Sequence, residues 1–327
     1  MKYIKKGLFI FLCFAFFTGC GKKDSDIVKD ISRKIDGLNS YHLTGDLEII
    51  NDENTYSYDV DVSFLKDNYF RVLLKNKTNN HEQIILRNND GVFVVTPSLN
   101  KSFKFQSDWP HNNSQCYLLH SIINDMNSDS DRLFESVDDG YVITFKTNYS
   151  NKKDLVKERI YIDRDNNIKK VEVLDSNDVI KMKMSFNNID YNYDSSVEDF
   201  KLDNNMSVFS EFDVKSVIDD VLYPMYIPQN TFLSSQDKVS INDGERVIMT
   251  FSGDYPFMII QETINNDNSI VSVSGEPFQL VDTVGVIDDT SITWINNGIE
   301  YYLVSNSLNN EQLIEVANSM TAAAIIK

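Results

Sequence analysis

Cysteine is scarce in this sequence, with three among 327 residues. Cys13 and Cys20 stand near the start, so Cys116 is the one cysteine in the rest of the sequence. A lone cysteine forms neither an internal disulfide nor a cysteine-based metal cluster, which excludes both beyond residue 20. Because its neighbours in Gln115-Cys116-Tyr117-Leu118-Leu119 are mostly apolar, Cys116 is predicted to be a buried packing residue and not a nucleophile.

Positively charged residues are also fewer than negatively charged ones. Lysine and arginine total 31 against 49 aspartate and glutamate residues, a formal net charge of -18. Nucleic-acid-binding proteins are basic, so no nucleic-acid partner is expected. Anionic lipid would repel the same surface, so the body of the protein is not expected to lie flat on a membrane.

The apolar run that opens the chain, Gly7 to Phe17, is too short to cross a bilayer, which takes about 20 apolar residues. Lys2, Lys5 and Lys6 precede it. A positively charged start followed by a short apolar core is the pattern of a secretory signal. We therefore expect residues 1–19 to be a signal peptide and the protein to be exported.

The end of this signal resembles a bacterial lipobox. In Phe17-Thr18-Gly19-Cys20 a small residue precedes a cysteine, although the lipobox pattern prefers leucine at the position of Phe17. The resemblance implies that Cys20 carries acyl chains such as palmitate, and two chains suffice for stable anchoring. Residues 20–26 would then tether the protein to the extracytoplasmic face of the cell membrane. The alternative is an ordinary secretory signal with an incidental cysteine.

Beyond the tether, the apolar pattern changes from a helical period to a strand period. Ile27, Ile31, Ile35 and Leu38 recur at the spacing of one helix face. From Tyr56 to Phe64, apolar and polar residues alternate as in a half-buried antiparallel strand. The chain therefore begins with a helix that is followed by strands.

More strand-like runs follow in two groups. Between them, Ser114 to Met126 is predicted to be a short amphipathic helix, and Asp131 to Val137 to add another helical turn. This order predicts a curved antiparallel sheet whose concave face is covered by helices. A sandwich without a lined cavity is the alternative.

Two domains are expected from the length of the chain. A polar stretch from Asp203 to Ser210 marks the boundary, which gives a first domain over residues 27–203. Residues 211–327 are predicted to form a small α+β domain, with a helix from Asn310 to Ala323.

Four segments of the first domain resemble the LolA-like lipoprotein-carrier superfamily. They are Asn68 to Val72, Ile160 to Asp175, Met184 to Asn192 and Val197 to Leu202. The resemblance covers residues 27 to 202. It implies an α+β fold with a LolA-like curved antiparallel half-barrel, covered by helices over an apolar cavity.

Three segments of the second domain look like a small domain found after LolA-like regions in sporulation lipoproteins of Firmicutes. They are Tyr226-Ile227-Pro228, Trp294 to Leu303 and Glu311 to Met320. With the lipobox, they make the chain resemble the YdcC-type sporulation lipoproteins and the GerS-related germination lipoproteins. That resemblance implies a role at a spore or cell membrane. For the GerS relatives it implies partnership with an amidase of cortex peptidoglycan, although GerS is shorter and lacks such a tail.

Inward-facing aromatic residues of the strands, with two residues of the short helix as a lid, are the candidates for lining the cavity or binding a partner. They are Tyr56, Tyr58, Phe64, Phe103, Phe105 and Phe145, with Leu118 and Ile122. The same side chains would equally fill an ordinary core. Arg71 is either a cavity arginine or a surface residue that forms a salt bridge.

Catalytic and metal-binding motifs are missing from the sequence. It has no Gly-x-Ser-x-Gly elbow, no phosphate-binding glycine loop and no His-Glu-x-x-His motif. The four histidines share no metal-ligand spacing. We therefore expect no catalytic residues, no bound metal, no cofactor and no enzymatic activity.

Three functions remain. The favoured one is a membrane-anchored binding partner or scaffold for an envelope enzyme, such as a peptidoglycan amidase, in sporulation or germination. The second is a carrier or chaperone of lipid or lipoprotein, but a permanently lipidated protein does not leave its membrane. The third, an envelope hydrolase, is disfavoured by the missing motifs.

Overall fold

The computed structural model describes most of the chain after residue 23. The described residues are 24–51, 54–149, 151–206, 217–241, 244–264 and 270–322. The predicted signal peptide and Cys20 lie outside these ranges, as do residues 207–210 of the predicted boundary. No helix within the ranges is long and apolar enough to cross a bilayer.

The first part of the chain forms one open antiparallel sheet built from two meanders. Its strands are β1 (Ser40–Asn51), β2 (Asn54–Leu65), β3 (Tyr69–Asn76), β4 (Glu82–Asn88), β5 (Gly91–Thr96), β6 (Lys101–Phe105), β7 (Leu133–Val137), β8 (Gly140–Lys146), β9 (Leu155–Asp163), β10 (Ile168–Asp175) and β11 (Ile180–Asp190). The two meanders meet where β1 pairs with β11. In space the order of these eleven strands runs from β6 through β1 and β11 to β7, and β7 forms one edge of the sheet.

The alternation of buried and more exposed side chains explains why these segments form strands. In β2, Tyr58, Val60 and Val62 are buried on one face, as the predicted alternation requires. Asp67 and Asn68 then make the turn to β3 with φ of 71° and 73°. Asn and Asp adopt this left-handed conformation more readily than most residues, so the sequence fixes the hairpin locally.

Two helices cover one face of the sheet, here called the inner face. They are α1 (Asp24–Asp36) and α2 (Leu119–Ser128), and their apolar residues share one core with the strands. The helix that was predicted to begin at Ser114 is α2, which begins at Leu119. The predicted helical turn over Asp131 to Val137 is wrong, because Leu133–Val137 of that segment pairs with β8 as the edge strand β7.

The last part of the chain forms a second, smaller sheet. It contains β13 (Thr231–Ile241), β14 (Gly244–Gly253), β15 (Phe257–Thr263), β17 (Glu276–Gln279), β18 (Val284–Ile287), β19 (Ser291–Asn296) and β20 (Ile299–Val304), with α4 (Asn310–Asn318) packed on its core. The predicted helix ends at Asn318 and not at Ala323. The chain then forms β21 (Met320–Ala322), which pairs with β12 (Leu222–Pro224).

The predicted fold class is confirmed: an open, helix-covered antiparallel sheet is followed by a small α+β domain. The domain bounds of 27–203 and 211–327 stay a prediction. A short helix, α3 (Leu202–Asn205), overlaps the start of the polar stretch that was predicted as the boundary.

The two sheets share contacts that the sequence patterns do not predict. A short strand from the second part, β16 (Ile270–Ser272), adds to the first sheet in parallel with β6. Ile264, Val284, Val286 and Ile295 also belong to the apolar core under α1 and α2. The core of the first sheet is therefore completed by residues from the second part of the chain.

Candidate functional site

The predicted cavity residues come together on the inner face, but they are packed against one another. Seven of them lie in one apolar core, none more than 6% exposed: Tyr58, Phe64, Phe103, Phe105, Leu118, Ile122 and Phe145. Tyr56 is partly buried beside them. Their part in binding a ligand or partner stays a prediction.

The void beside this core is small. It measures about 40 Å³ and is lined by residues that include Trp109, Cys116, Tyr149 and Phe278. Drug-sized ligands occupy sites of about 300–1,000 Å³, whereas a void of this size has room for a few water molecules. The space under the helices is therefore occupied by side chains. Cys116 is free and buried there, as predicted.

Arg71 lies on the outer face, away from this core. Its Nε donates to Asn205 Oδ1 at 2.7 Å, and its NH1 lies 3.2 Å from Asp61 Oδ1. His42 Nε2 contacts the other oxygen of Asp61 at 2.8 Å. Arg71 is therefore placed as a salt-bridge residue that fastens α3 to the back of the sheet, and not as a cavity residue.

Buried polar contacts join the two sheets. The side-chain amide of Gln83 donates to Val284 O at 2.9 Å and accepts from Val284 N at 2.6 Å. Lys101 and Glu300 form an ion pair at 3.1 Å, with side chains only 8% and 5% exposed. Such groups are costly to bury without partners, so these pairs fix how one sheet lies on the other.

Val281 also links the two parts of the chain. Its carbonyl accepts from the hydroxyl of Tyr58 at 2.9 Å, and its N–H donates to Asn318 Oδ1, at the end of α4, at 3.1 Å. Asn310, at the start of α4, donates to Asn151 Oδ1 at 3.1 Å. Helix α4 is thus held beside the end of β1 and the loop before β9.

A cleft of about 410 Å³ lies between these elements. Apolar residues from both parts of the chain line it: Ile49, Ile50, Leu155, Met182, Val281 and Ile314. Its charged lining residues are Lys152, Lys153, Asp154 and Lys181, with Glu311 and Glu315 from helix α4. The volume of this cleft, in which apolar and charged groups lie side by side, falls within the range of ligand-binding sites.

A buried polar cluster lies beside the small void that Tyr149 lines. Glu158 is fully buried, and its Oε1 accepts from the hydroxyl of Tyr149 at 2.8 Å, whereas its Oε2 has no hydrogen-bond partner. Burial raises the pKa of Glu158 to about 8, and the nearby carboxylate of Asp125 adds to the effect. The carboxyl is therefore mostly protonated at neutral pH.

The sequence did not predict this cleft. Its lining comes from β1, the loop before β9, β11, the loop before β18 and α4, which lie far apart along the chain. The only local signal is the polar run Asn151-Lys152-Lys153-Asp154, which reads as an ordinary loop.

Comparison with known proteins places the chain in a family. The family described as "Sporulation protein YdcC-like" matches residues 2–200. Sporulation protein YdcC of Bacillus subtilis (strain 168) is 35% identical over 333 residues, covering 98% of each chain. The chain therefore belongs to the YdcC-like sporulation protein family, and the predicted resemblance is confirmed.

The solved structures that match the chain are less similar to it in sequence. The MucA/MucB complex of Pseudomonas aeruginosa matches with a TM-score of 0.33 and 13% identity, covering 91% of this chain and 98% of that one. A LolA-superfamily protein from Nitrosomonas europaea matches at 0.33 and 12%, covering 55% and 98%. The complex of the CwlD amidase with the GerS lipoprotein from Clostridioides difficile matches at 0.31 and 14%, covering 54% and 98%.

Proposed function

We propose that this protein is a membrane-anchored, non-enzymatic binding partner or scaffold for an envelope enzyme of sporulation. The observation that carries the proposal is the contrast between two spaces. The inner face of the first sheet is filled by side chains, whereas the cleft beside α4 is open, large and charged. A partner's surface segment is therefore the expected occupant, and the cleft its binding site.

Anchoring through Cys20 would hold the start of α1 near the membrane. Helix α1 begins at Asp24, so only Gly21, Lys22 and Lys23 separate it from Cys20. Three extended residues span about 10 Å. Changing Cys20→Ala should abolish labelling by a fatty-acid probe and release the chain from membranes, and equal labelling of the variant would remove the anchor from the proposal.

A carrier of lipid or lipoprotein is the second candidate. It is supported by the superfamily resemblance, and it requires space for an acyl chain under the helices. The void of about 40 Å³ there disfavours it, and so does a permanent anchor. Among protein partners, the sequence resemblance to the GerS-related lipoproteins makes a peptidoglycan amidase the first to test.

Site-specific photocrosslinking tests the proposed binding site. A photoreactive amino acid replaces Lys153, whose side chain is 78% exposed at the cleft, in sporulating cells. The matched control replaces Lys169, which is 61% exposed beside Asp163 and is not part of the cleft. We expect a discrete crosslinked envelope protein from position 153 alone. Identical products from both positions, or none from position 153, would contradict a partner site in the cleft.

A further inference from the structure

Strand β7 forms a free edge of the first sheet. It pairs with β8, and among the described residues no other group bonds to the backbone of residues 133–136. Arg164 closes the turn end of this edge by donating to the carbonyls of Val137 and Asp138. A free edge presents a row of unpaired N–H and C=O groups, which is a template for a further strand.

The other ends of the two large sheets carry features that discourage such pairing. In natural proteins these features are very short strands, prolines, bulges and lysines on the edge. Strand β16 is three residues long, and β17 contains Pro277. Strand β13 carries Lys238, and its register shifts between Leu233 and Ser235. Strand β7 has neither lysine nor proline, and its five residues pair with β8 without a shift, so its edge is the least protected of the four.

The outer face of β7 combines apolar side chains with one acid. Residues directly opposite one another in a sheet share a face, so Phe134 lies on the inner face with Ile143, against the apolar core. Side chains alternate along a strand, which places Leu133, Glu135 and Val137 on the outer face. Leu133 is 64% exposed and Val137 is 41% exposed. The edge therefore offers an apolar, an acidic and an apolar side chain in a row.

The charge around this edge limits which strand can pair with it. Residues 129–139 contain five carboxylates and one arginine. Glu135, Asp138 and Asp139 are exposed, and none of them forms an ion pair within the described ranges. Two copies of β7 paired edge to edge would bring these carboxylates together, and like charges on adjacent strands are destabilising. A strand that places a lysine or arginine opposite Glu135 gains an attractive contact instead.

We propose that β7 binds a basic strand of the partner protein, which extends the first sheet by β-strand addition. The bound strand carries a lysine or arginine opposite Glu135, with apolar residues opposite Leu133 and Val137. None of residues 133–137 lines the cleft, so this is a second contact surface. The inference deepens the proposed function and rests on its protein partner, but it does not depend on the cleft.

Two synthetic peptides test the charge preference of the edge. The probes are acetyl-valyl-threonyl-lysyl-threonyl-valinamide, whose β-branched residues favour a strand, and the same peptide with glutamate in place of lysine. Binding is followed by the backbone amide NMR signals of residues 133–137 in a protein of residues 21–327. We expect the lysine peptide to bind about twofold to fivefold more tightly, with a preference that declines as salt is added. Hydrogen exchange of the β7 amides should slow in the complex, because strand addition pairs their N–H groups.

Variants of Glu135 assign the preference to this edge. Glu135→Lys should reverse it, so that the glutamate peptide binds more tightly. Glu135→Gln should remove it, and this milder change guards against misfolding of the first variant. Asp237→Lys is the matched control, because Asp237 is an exposed acid on the edge strand β13 and should leave the preference unchanged.

Several results would overturn the proposal. They are equal binding of the two peptides, an unchanged preference in folded Glu135→Lys, and unchanged exchange of the β7 amides in the complex. Sedimentation of residues 21–327 as a dimer that the lysine peptide dissociates would assign the edge to a second copy of the chain instead. A discrete crosslink at position 153 without peptide binding at β7 would remove this inference and leave the proposed function standing.

Discussion

At the scale of single residues, the most consequential group outside the cleft is Glu158. Its neighbours in β9, Ile160 and Ile162, face the same apolar core, and its carboxyl has one hydrogen bond where an ionised carboxylate would seek several. A buried carboxyl in this situation stays neutral, because the charged form is the one that burial penalises. Glu158 therefore makes the stability of the fold depend on pH.

The expected pH dependence follows from the proton balance. The pKa of Glu158 is about 8 in the folded chain and 4.5 for an exposed glutamate, so between these values unfolding releases a proton. Stability should then fall as pH rises from about 4.5 to 8, by at most roughly 1.4 kcal/mol per pH unit from this group. Glu158→Gln cannot ionise and should show a flatter dependence.

Urea denaturation of the two proteins at pH 5, 6, 7 and 8 measures this difference. Only the change in slope with pH is diagnostic, because the glutamine amide adds donors that need partners of their own and shifts stability at every pH. Parallel stability curves for Glu158→Gln and the parent would show that Glu158 is ionised in the folded protein.

At the scale of elements, the contact between β4 and β18 is one of those that join the two sheets. Gln83 uses both ends of its side-chain amide on the backbone of Val284, and its Oε1 also accepts from Thr283 Oγ1 at 2.9 Å. All of these groups are buried. The Gln83 amide thus bonds to the backbone of the second sheet from a strand of the first, much as a neighbouring peptide group would.

Removing the side-chain amide of Gln83 should lower the stability of the protein. Gln83→Met keeps the volume of the side chain but leaves the N–H and C=O of Val284 without these partners, so we expect a loss of about 1–3 kcal/mol in the free energy of unfolding. Gln236→Met is the control, since Gln236 lies exposed on β13, where it loses only a solvent-exposed hydrogen bond from the hydroxyl of Tyr223, and should cost well under 1 kcal/mol. Similar losses for the two variants would mean that the contact contributes nothing specific.

Local patterns predicted the elements that depend on local sequence. The apolar spacing of Ile27, Ile31 and Ile35 located α1, and alternation from Tyr56 to Phe64 located β2. The errors arise where partners distant in the chain decide the conformation. The pattern over Asp131 to Val137 favours a helical turn, but Leu133–Val137 pairs with β8, and the last helix stops at Asn318 because Met320 pairs with Pro224.

The same distinction between local patterns and distant partners applies to the candidate site. The aromatic residues expected on the inner face do gather there, since strand alternation alone determines their side of the sheet. Arg71 falls on the opposite face for the same reason. The cleft, by contrast, depends on contacts between distant segments, since Val281 joins Tyr58 to Asn318 at the end of α4 and Asn310 at its start donates to Asn151. No pattern within one segment contains that information.

At the scale of the whole molecule, the question is whether the protein holds lipid or protein. An acyl chain gains about 0.8 kcal/mol for each CH₂ that it buries, but only where space exists or is cheaply opened. Under α1 and α2 the space is taken by Phe64, Phe103, Phe105 and Phe145. Opening it would require these rings to leave a core that residues of the second sheet help to close.

Titration of residues 21–327, which omit the predicted signal peptide and Cys20, with a fluorescent fatty-acid analogue tests this account most directly. The whole body is required because Ile264, Val284 and Ile295 complete the core of the first sheet. We predict no saturable binding at micromolar concentrations, with the methyl signals of the inner core unchanged. Tight, stoichiometric binding that shifts those signals would contradict the filled core and make the protein a lipid carrier.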